Sequence, residues 1–225
     1  MRLIQGNNGG LFFLNTRSWG AWRDSLEFYK GITPTARVKR QALLLAYPLM
    51  RDNCTEMEMA ERMEKATGCL PDVDADCSGI ISPTGDKAVV HIHGKGYWKA
   101  AGGASYPKAR NELAIYRILA ERRPVTFGFS EISDVHDDGA HVSFFMREEE
   151  GAVRGDIHKP LAAVLPALEE FHSLRPDGLV HGDFKPWNVR WRKDGRPHFL
   201  DFEEAHTGDI QEDIDYYRSW GGLRE

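Results

Sequence analysis

The chain has 225 residues, of which 41% are hydrophobic, which is enough to bury a sizeable core in one large domain or in two lobes. Its formal net charge of -5 argues against general nucleic-acid binding, because a phosphate backbone is bound by an excess of Lys and Arg on one face. The longest apolar stretch, residues 42–50, is too short to cross a bilayer, and the N-terminus lacks the regions of a signal peptide. These features predict a cytoplasmic protein with reduced cysteines.

Residues 1–72 predict a helical N-terminal extension. Apolar side chains recur at helical spacing in three segments, residues 19–29, 38–49 and 59–66. The third segment begins at a Thr55-x-x-Glu58 capping box and ends at Gly68. The second carries basic residues at 37–40 beside a run of leucines, a pattern that is more typical of an ordinary amphipathic helix than of contact with a membrane surface.

Residues 73–146 predict an antiparallel sheet with one helix. The strand candidates are residues 87–93, 97–100 and 142–146. Lys99 lies on the second of these strands, and Glu112 stands at the start of the helix. A turn rich in small residues, 82–85, precedes the first strand.

Residues 147–225 predict a helical C-terminal lobe. Apolar residues at helical spacing mark a core helix from Leu161 to Leu174, and the breaker sequence 175–178 ends it. The acidic run 147–151, between the last strand and this helix, is predicted to be a solvated hinge between two lobes.

The most informative segment reads His-Gly-Asp-Phe-Lys-Pro-Trp-Asn over residues 181–188 and is followed by Asp-Phe-Glu at 201–203. This spacing is that of the catalytic loop and metal-binding strand of kinase-like phosphotransferases. An Asp-Gly turn between two short strands separates Asn188 from Asp201, so the two side chains should come close together. Either fragment alone is a common turn or strand-end sequence, whereas the two in this order are specific.

Amide and carboxylate oxygens are the ligands that magnesium prefers, so Asn188 and Asp201 predict a magnesium site completed by ATP. Asp183 would accept the proton of an attacking hydroxyl group, or orient that group in line with the terminal phosphate. Positioning and charge neutralisation are nearly the whole of catalysis in phosphoryl transfer.

Such a site also needs a lysine that holds the phosphates and a glutamate that holds the lysine. Lys99 and Glu112 are the predicted pair. Lys95 and Lys108 are rival lysines that should be held less rigidly, because one lies in a turn between glycines and the other follows a proline in a loop.

The nucleotide is predicted to contact two further places. Ser82, Thr84 and Gly85 stand where a lid over the phosphates would lie, although a plain hairpin turn explains these residues about as well. Met146 ends the strand before the hinge, whose backbone would bind the adenine.

Residues 78–217 resemble the aminoglycoside phosphotransferase and choline kinase branch of the protein-kinase-like superfamily, on the His-Gly-Asp loop and the Asp-Phe-Glu segment. The resemblance implies an α+β, two-lobed protein-kinase-like fold with a short C-terminal lobe. It implies Asp183 as the catalytic base, Asn188 and Asp201 as magnesium ligands, and a later acid, Asp213 or Asp215, that braces the catalytic loop.

Two departures from relatives are informative. Lys185 is a residue expected of protein kinases, where it would touch the transferred phosphate, but Gly182 replaces the arginine that senses phosphorylation in many of them. The chain also stops soon after Asp201, so the large platform that grips peptides or aminoglycosides should be absent and the acceptor site small or shared. The N-terminal segment is similar, more weakly, to phosphotransferase-like proteins of bacterial polysaccharide synthesis loci, which implies a sugar-containing acceptor.

The sequence therefore predicts an ATP- and magnesium-dependent phosphotransferase that acts on a hydroxyl of a small molecule or glycan. A pseudokinase-like module that binds nucleotide or a protein partner without turnover is the alternative, and a protein Ser/Thr kinase is the third hypothesis. The acceptor's identity, the choice of ATP or GTP and the oligomeric state are left open.

Overall fold

The computed structural model describes residues 1–6, 9–26, 34–49, 52–71, 76–148, 152–153 and 159–221. Within these ranges the α-helices are α1 (Trp19–Ser25), α2 (Pro34–Ala46), α3 (Glu56–Thr67), α4 (Tyr106–Arg122), α5 (Leu161–Ser173) and α6 (Ile210–Gly221). The strands are β1 (Arg2–Gln5), β2 (Leu11–Leu14), β3 (Cys77–Ile81), β4 (Lys87–Ile92), β5 (Gly96–Ala101), β6 (Ile132–Asp137), β7 (Val142–Arg147), β8 (Ala152–Val153), β9 (Leu179–Val180), β10 (Val189–Arg192), β11 (Pro197–Phe199) and β12 (His206–Thr207). No helix among the described residues is long and apolar enough to cross a membrane.

The chain divides into two compact units. The first comprises Met1–Tyr106 and Ser133–Glu148, and the second comprises Pro107–Ile132 and Glu149–Glu225. Helices combine with antiparallel sheet, which confirms the predicted α+β class. The division into segments 1–72, 73–146 and 147–225 rests on the sequence pattern, and it stays a prediction.

The first unit is built on a seven-stranded sheet in the order β1-β2-β3-β4-β5-β7-β6. Strands β1 and β2 were not anticipated in the N-terminal segment, where only helices were predicted. The run Leu-Phe-Phe-Leu of β2 is apolar on both faces because both are covered: Phe13 joins one core cluster, and Phe12 and Leu14 join another. A strand buried on both sides lacks the alternation that marks a half-buried strand.

Helix α3 covers one face of this sheet. The predicted capping box is confirmed: the Thr55 hydroxyl accepts from the Glu58 N–H at 3.1 Å, and the Glu58 carboxylate accepts from the Thr55 N–H at 2.7 Å. Gly68 ends the helix in the left-handed conformation, with φ 74°. Met59 and Met63 are fully buried against the sheet, so the cap fixes where the helix begins and its apolar side packs on the core.

The two earlier helices differ in extent from the predicted segments 19–29 and 38–49: α1 is shorter, and α2 begins and ends earlier. Helix α1 ends at Ser25, and α2 is followed by a short 3-10 turn, Tyr47–Leu49. The indole N–H of Trp22 donates to the carbonyl of Leu43 at 3.0 Å, which ties the two helices together. Tyr29, predicted to lie on the first of them, is outside the described residues.

An aromatic core holds the second unit together. The predicted core helix is confirmed as α5, where Val164, Leu168 and Phe171 are fully buried. The rings packed with Phe171, directly or through one another, are Phe127, His181, Phe184, Phe199, Phe202 and Tyr217. Since His181, Phe184 and Phe202 belong to the motif segments, the core itself sets the positions of those segments.

Candidate functional site

The loop 181–188 follows strand β9 and is braced by an acid from helix α6. The N–H groups of His181 and Gly182 donate to the two carboxylate oxygens of Asp213 at 2.6 and 3.0 Å. Asp213 is therefore the bracing acid of the two that the sequence left open, and Asp215 is exposed on the same helix. Burial raises the pKa of Asp213 above its usual range, although the two N–H donors act in the opposite direction.

His181 joins the loop to the strand that leads to Asp201. Its ring is fully buried, and its Nε2 lies 3.0 Å from the carbonyl oxygen of Leu200, to which the N–H donates. Burial lowers the pKa of His181, which favours the neutral ring. The histidine thus links the loop to the segment before Asp201 through this hydrogen bond.

Gly182 is required by a close approach of the backbone. Its φ is +76°, and a Cβ at this position would lie 2.3 Å from the carbonyl oxygen of Glu204. A side chain here would push the loop 181–188 away from the segment that follows Asp201. This approach explains why glycine stands at position 182.

The predicted hairpin between Asn188 and Asp201 is confirmed. Strands β10 and β11 pair antiparallel, and the Leu200 N–H donates to the Asn188 carbonyl at 3.0 Å, so the two site residues flank the open end of the hairpin. Asp201 has a φ of +68°, a strained value for a residue other than glycine. Such strain is concentrated at functional sites.

Asp183 is held by three side chains of the second unit. Its Oδ1 accepts from the Tyr216 hydroxyl at 3.0 Å and pairs with the Lys185 ammonium, while Asn188 Nδ2 donates to Oδ2 at 3.1 Å and to the Asp183 carbonyl at 2.9 Å. Burial lowers the pKa of Lys185, but the hydrogen bonds to Asp183 and Tyr216 outweigh it and the net shift is upward. The ammonium is therefore charged at neutral pH beside an oriented carboxylate.

Three carboxylates of the second unit cluster beside this loop. One oxygen each of Glu112, Asp201 and Glu203 lies within 4.8 Å of the others. Because the amide nitrogen of Asn188 is engaged with Asp183, its amide oxygen is the atom that could ligate a cation. Carboxylate and amide oxygens are the set that magnesium takes, so the residues fit the predicted ion.

In the first unit, Lys99 is the buried lysine of the three candidates. It lies on β5 between Val89 and Phe144 in cross-strand register, and its side chain is 4% exposed. Lys95 is exposed in the turn before β5, and Lys108 is exposed and pairs with Glu204. Lys99 belongs to the first unit and Glu112 to the second, and their pairing stays a prediction.

The turn 82–86 is tight and hydrogen-bonded. The Gly85 N–H donates to the Ser82 carbonyl at 3.0 Å, and the hydroxyls of Ser82 and Thr84 lie 2.7 Å apart. Asp86 anchors the turn, since its carboxylate accepts from the N–H and hydroxyl of Ser105 at 2.9 and 2.8 Å. The lid role of Ser82, Thr84 and Gly85 stays a prediction.

Met146 on β7 pairs with Tyr97 on β5, two positions along the strands from the pair of Phe144 and Lys99. The backbone continues to Glu148, whose N–H donates to the Lys95 carbonyl at 2.9 Å. The rest of the predicted hinge, residues 149–151, lies outside the described residues. The contact of Met146 with adenine therefore stays a prediction.

Four residues near the site were not found from the sequence, namely Trp187, Glu203, Tyr216 and Trp220. Tyr216 stands three residues after Asp213, a helical spacing that puts both on one side of α6, so this signal was available. Glu203 approaches Glu112 through packing of distant segments, for which no local signal exists.

Part of the chain matches the model of a known family. Residues 137–221 match the model of the phosphotransferase enzyme family, APH, and this segment includes the loop 181–188, the hairpin and Asp213. It covers less than half of the chain. Over those residues the match confirms the family predicted from the motifs.

Solved structures are similar at a lower level. The monomeric crystal structure of WbdD is 15% identical with a TM-score of 0.45, and the match covers 63% of this chain and 38% of that one. A complex of WbdD with the kinase inhibitor LY294002 has 15% identity, a TM-score of 0.40 and coverage of 54% and 31%. A ternary complex of streptomycin, ATP and APH(2")-IIa has 15% identity, a TM-score of 0.47 and coverage of 76% and 82%.

The matched part of this chain thus spans about a third of the length of the WbdD chains. At these values the similarities identify neither an acceptor nor a partner of this protein. A comparison with curated proteins finds no significant match.

Proposed function

We propose that the protein transfers the terminal phosphate of ATP to a hydroxyl group of a small molecule or glycan, with Mg2+ and in the cytoplasm. The observation that carries the proposal is the setting of Asp183, whose carboxylate is oriented by Tyr216, Lys185 and Asn188. A fixed carboxylate beside a fixed cationic group is the minimum that phosphoryl transfer needs from the protein. The family match over this segment supports the same reaction type.

In the proposed step, the acceptor oxygen forms a bond to the γ-phosphorus while the bond from that phosphorus to the β,γ-bridging oxygen breaks. ADP leaves with the bonding electron pair, and the acceptor's proton passes to Asp183. The products are a phosphate monoester and ADP. Lys185 would offset negative charge on the group in transfer, because its ammonium lies against the base.

Asn188 and Asp201 would hold magnesium, with Glu112 and Glu203 as further oxygen groups beside Asp201. The ion, when bound, supplies neutralisation of the phosphate charge. Lys99 is proposed to hold phosphates, since it is the buried strand lysine.

The test compares the wild-type protein with Asp183→Asn. Two rates are measured: transfer of radiolabelled phosphate from ATP to a panel of sugars and amino alcohols, and slow hydrolysis of ATP. Both should fall by about 100-fold or more in the variant, the size expected for loss of a general base. Binding of Mg2+ with a non-hydrolysable ATP analogue, measured by thermal shift, should persist.

Two results would overturn the proposal. Nucleotide binding without turnover on any acceptor or on water would favour the pseudokinase-like module. Hydrolysis that survives in Asp183→Asn would remove Asp183 from the reaction.

A further inference from the structure

Three aromatic rings surround the Lys185 ammonium next to Asp183. The nitrogen lies 5.7 Å from the ring centroid of Trp187, 5.4 Å from that of Tyr216 and 5.7 Å from that of Trp220. The two tryptophan rings meet edge to face, with centroids 4.9 Å apart. We call Trp187, Tyr216 and Trp220 the aromatic wall.

The wall is not part of the aromatic core. Phe184 and Tyr217, which alternate with wall residues along the chain, are buried, whereas Trp220 is 36% exposed and Trp187 and Tyr216 are partly exposed. Large rings left accessible beside a reactive carboxylate are typical of a ligand site, because pockets are lined mainly by aromatic and apolar groups with a few oriented polar ones. The oriented polar groups here are Asp183 and Lys185.

The positive charge of Lys185, which lies among the three rings, restricts which ligands can bind to the aromatic wall. The faces that would attract a cationic ligand are already close to the Lys185 ammonium, which pairs with the carboxylate of Asp183. A second ammonium would be repelled by Lys185 and would compete with it for Asp183. On α6, Arg218 and Asp215 pair with each other at 3.6 Å, so these two charges offset one another.

We propose that the aromatic wall is the acceptor subsite and that it selects a neutral hydroxyl compound with an apolar ring face, such as a pyranose sugar, against an amine-bearing one. The C–H hydrogens on one face of such a ring carry slight positive charge and pack on the negative face of an indole. The inference rests on the proposed function and names its substrate class.

The test uses glucose and glucosamine, two acceptors of the same ring size that differ in one charged group. At about pH 6.5, where the amine of glucosamine is protonated, kcat/KM should favour glucose by about 10-fold or more. In Lys185→Gln the absolute rates should fall, but the ratio of the two kcat/KM values should approach one, because the repelling charge is gone.

Trp220→Ala tests the ring contact. It should raise KM for glucose by about 10-fold and change kcat less, and Trp220→Phe should restore part of the loss, since a smaller ring keeps a stacking face. Trp19→Ala is the matched control: Trp19 is an exposed tryptophan, 47% accessible, on helix α1, and its loss should leave KM unchanged.

The outcomes separate this inference from the proposed function. If Asp183-dependent hydrolysis occurs but glucose receives no phosphate, or if glucosamine is used as well as glucose, the subsite inference is wrong and the reaction type stands. An unchanged KM in Trp220→Ala would also refute the inference. If the wild-type protein shows no turnover that depends on Asp183, the proposed function itself is wrong.

Discussion

At the scale of single residues, the hydroxyl of Tyr216 is the contact around Asp183 that can be removed with least disturbance. Tyr216→Phe deletes the donor to Asp183 Oδ1 and keeps the ring. A carboxylate that loses one of its donors is less firmly oriented, so kcat of phosphate transfer should fall by about 10-fold, the equivalent of one hydrogen bond to a charged group. Steady-state kinetics of the purified variant measure this effect.

Tyr217→Phe is the matched control, because the adjacent hydroxyl donates to the carbonyl of Lys159 at 3.0 Å and makes no contact with Asp183 among those described. Its kcat should stay near the wild-type value. Equal losses in the two variants would mean that Tyr216 acts on stability rather than on the base.

At the scale of elements, the packing of the catalytic loop against the segment after Asp201 depends on Gly182. Gly182→Ala places a Cβ 2.3 Å from the Glu204 carbonyl oxygen and also requires a left-handed conformation, so the free energy of unfolding should fall by about 3–5 kcal/mol. Gly195→Ala, at the hairpin turn, has a similar φ of +84° but open space around its Cβ, and should cost about 1 kcal/mol. Urea unfolding of both variants compares the two costs, and similar losses would refute the close approach.

Helix α5 is joined to the loop after α4 by one carboxylate. Glu170 accepts from the Thr126 hydroxyl and from the N–H groups of Val125 and Thr126, the last two at 2.9 and 2.7 Å. Burial raises the pKa of Glu170, but these three bonds outweigh burial and hold the pKa below its ordinary value of 4.5. Its contribution to stability is therefore present above pH 4.5 and is lost as the pH falls through the lowered folded-state pKa.

Glu170→Gln should unfold more easily than the wild-type protein at neutral pH, by about 1–3 kcal/mol, and the two should converge in acid. Thermal unfolding measured between about pH 7 and pH 3 tests this. The exposed neighbour supplies the control, since Glu169→Gln should follow the wild-type curve at every pH. A constant difference between Glu170→Gln and the wild-type protein would assign the effect to packing.

At the scale of the whole molecule, the parts predicted correctly from sequence are those with local signals. Three such parts are the Asp-Gly hairpin, the capping box of α3 and the periodicity of α5. Each depends on residues that are close together in the sequence, so the local sequence pattern was sufficient to predict it. Strand β2 was missed because burial on both faces removes its alternation. The cluster of Glu112 with Asp201 and Glu203 was not predicted, because it depends on how distant segments pack.

Nucleotide binding should stabilise the whole chain through that cluster. A ligand that binds only the folded state at about 100 times its Kd adds about 2.7 kcal/mol of stability. Asp201→Asn should lose most of the extra stabilisation that Mg2+ gives to bound ADP, while keeping the fold, since asparagine tolerates the left-handed backbone that Asp201 adopts at φ +68°. Thermal shift with ADP, with and without Mg2+, measures the difference, and Asp215→Asn, which changes an exposed acid of α6, should retain the full magnesium effect. A magnesium effect that survives in Asp201→Asn would place the ion elsewhere and would leave the carboxylate cluster without its proposed role.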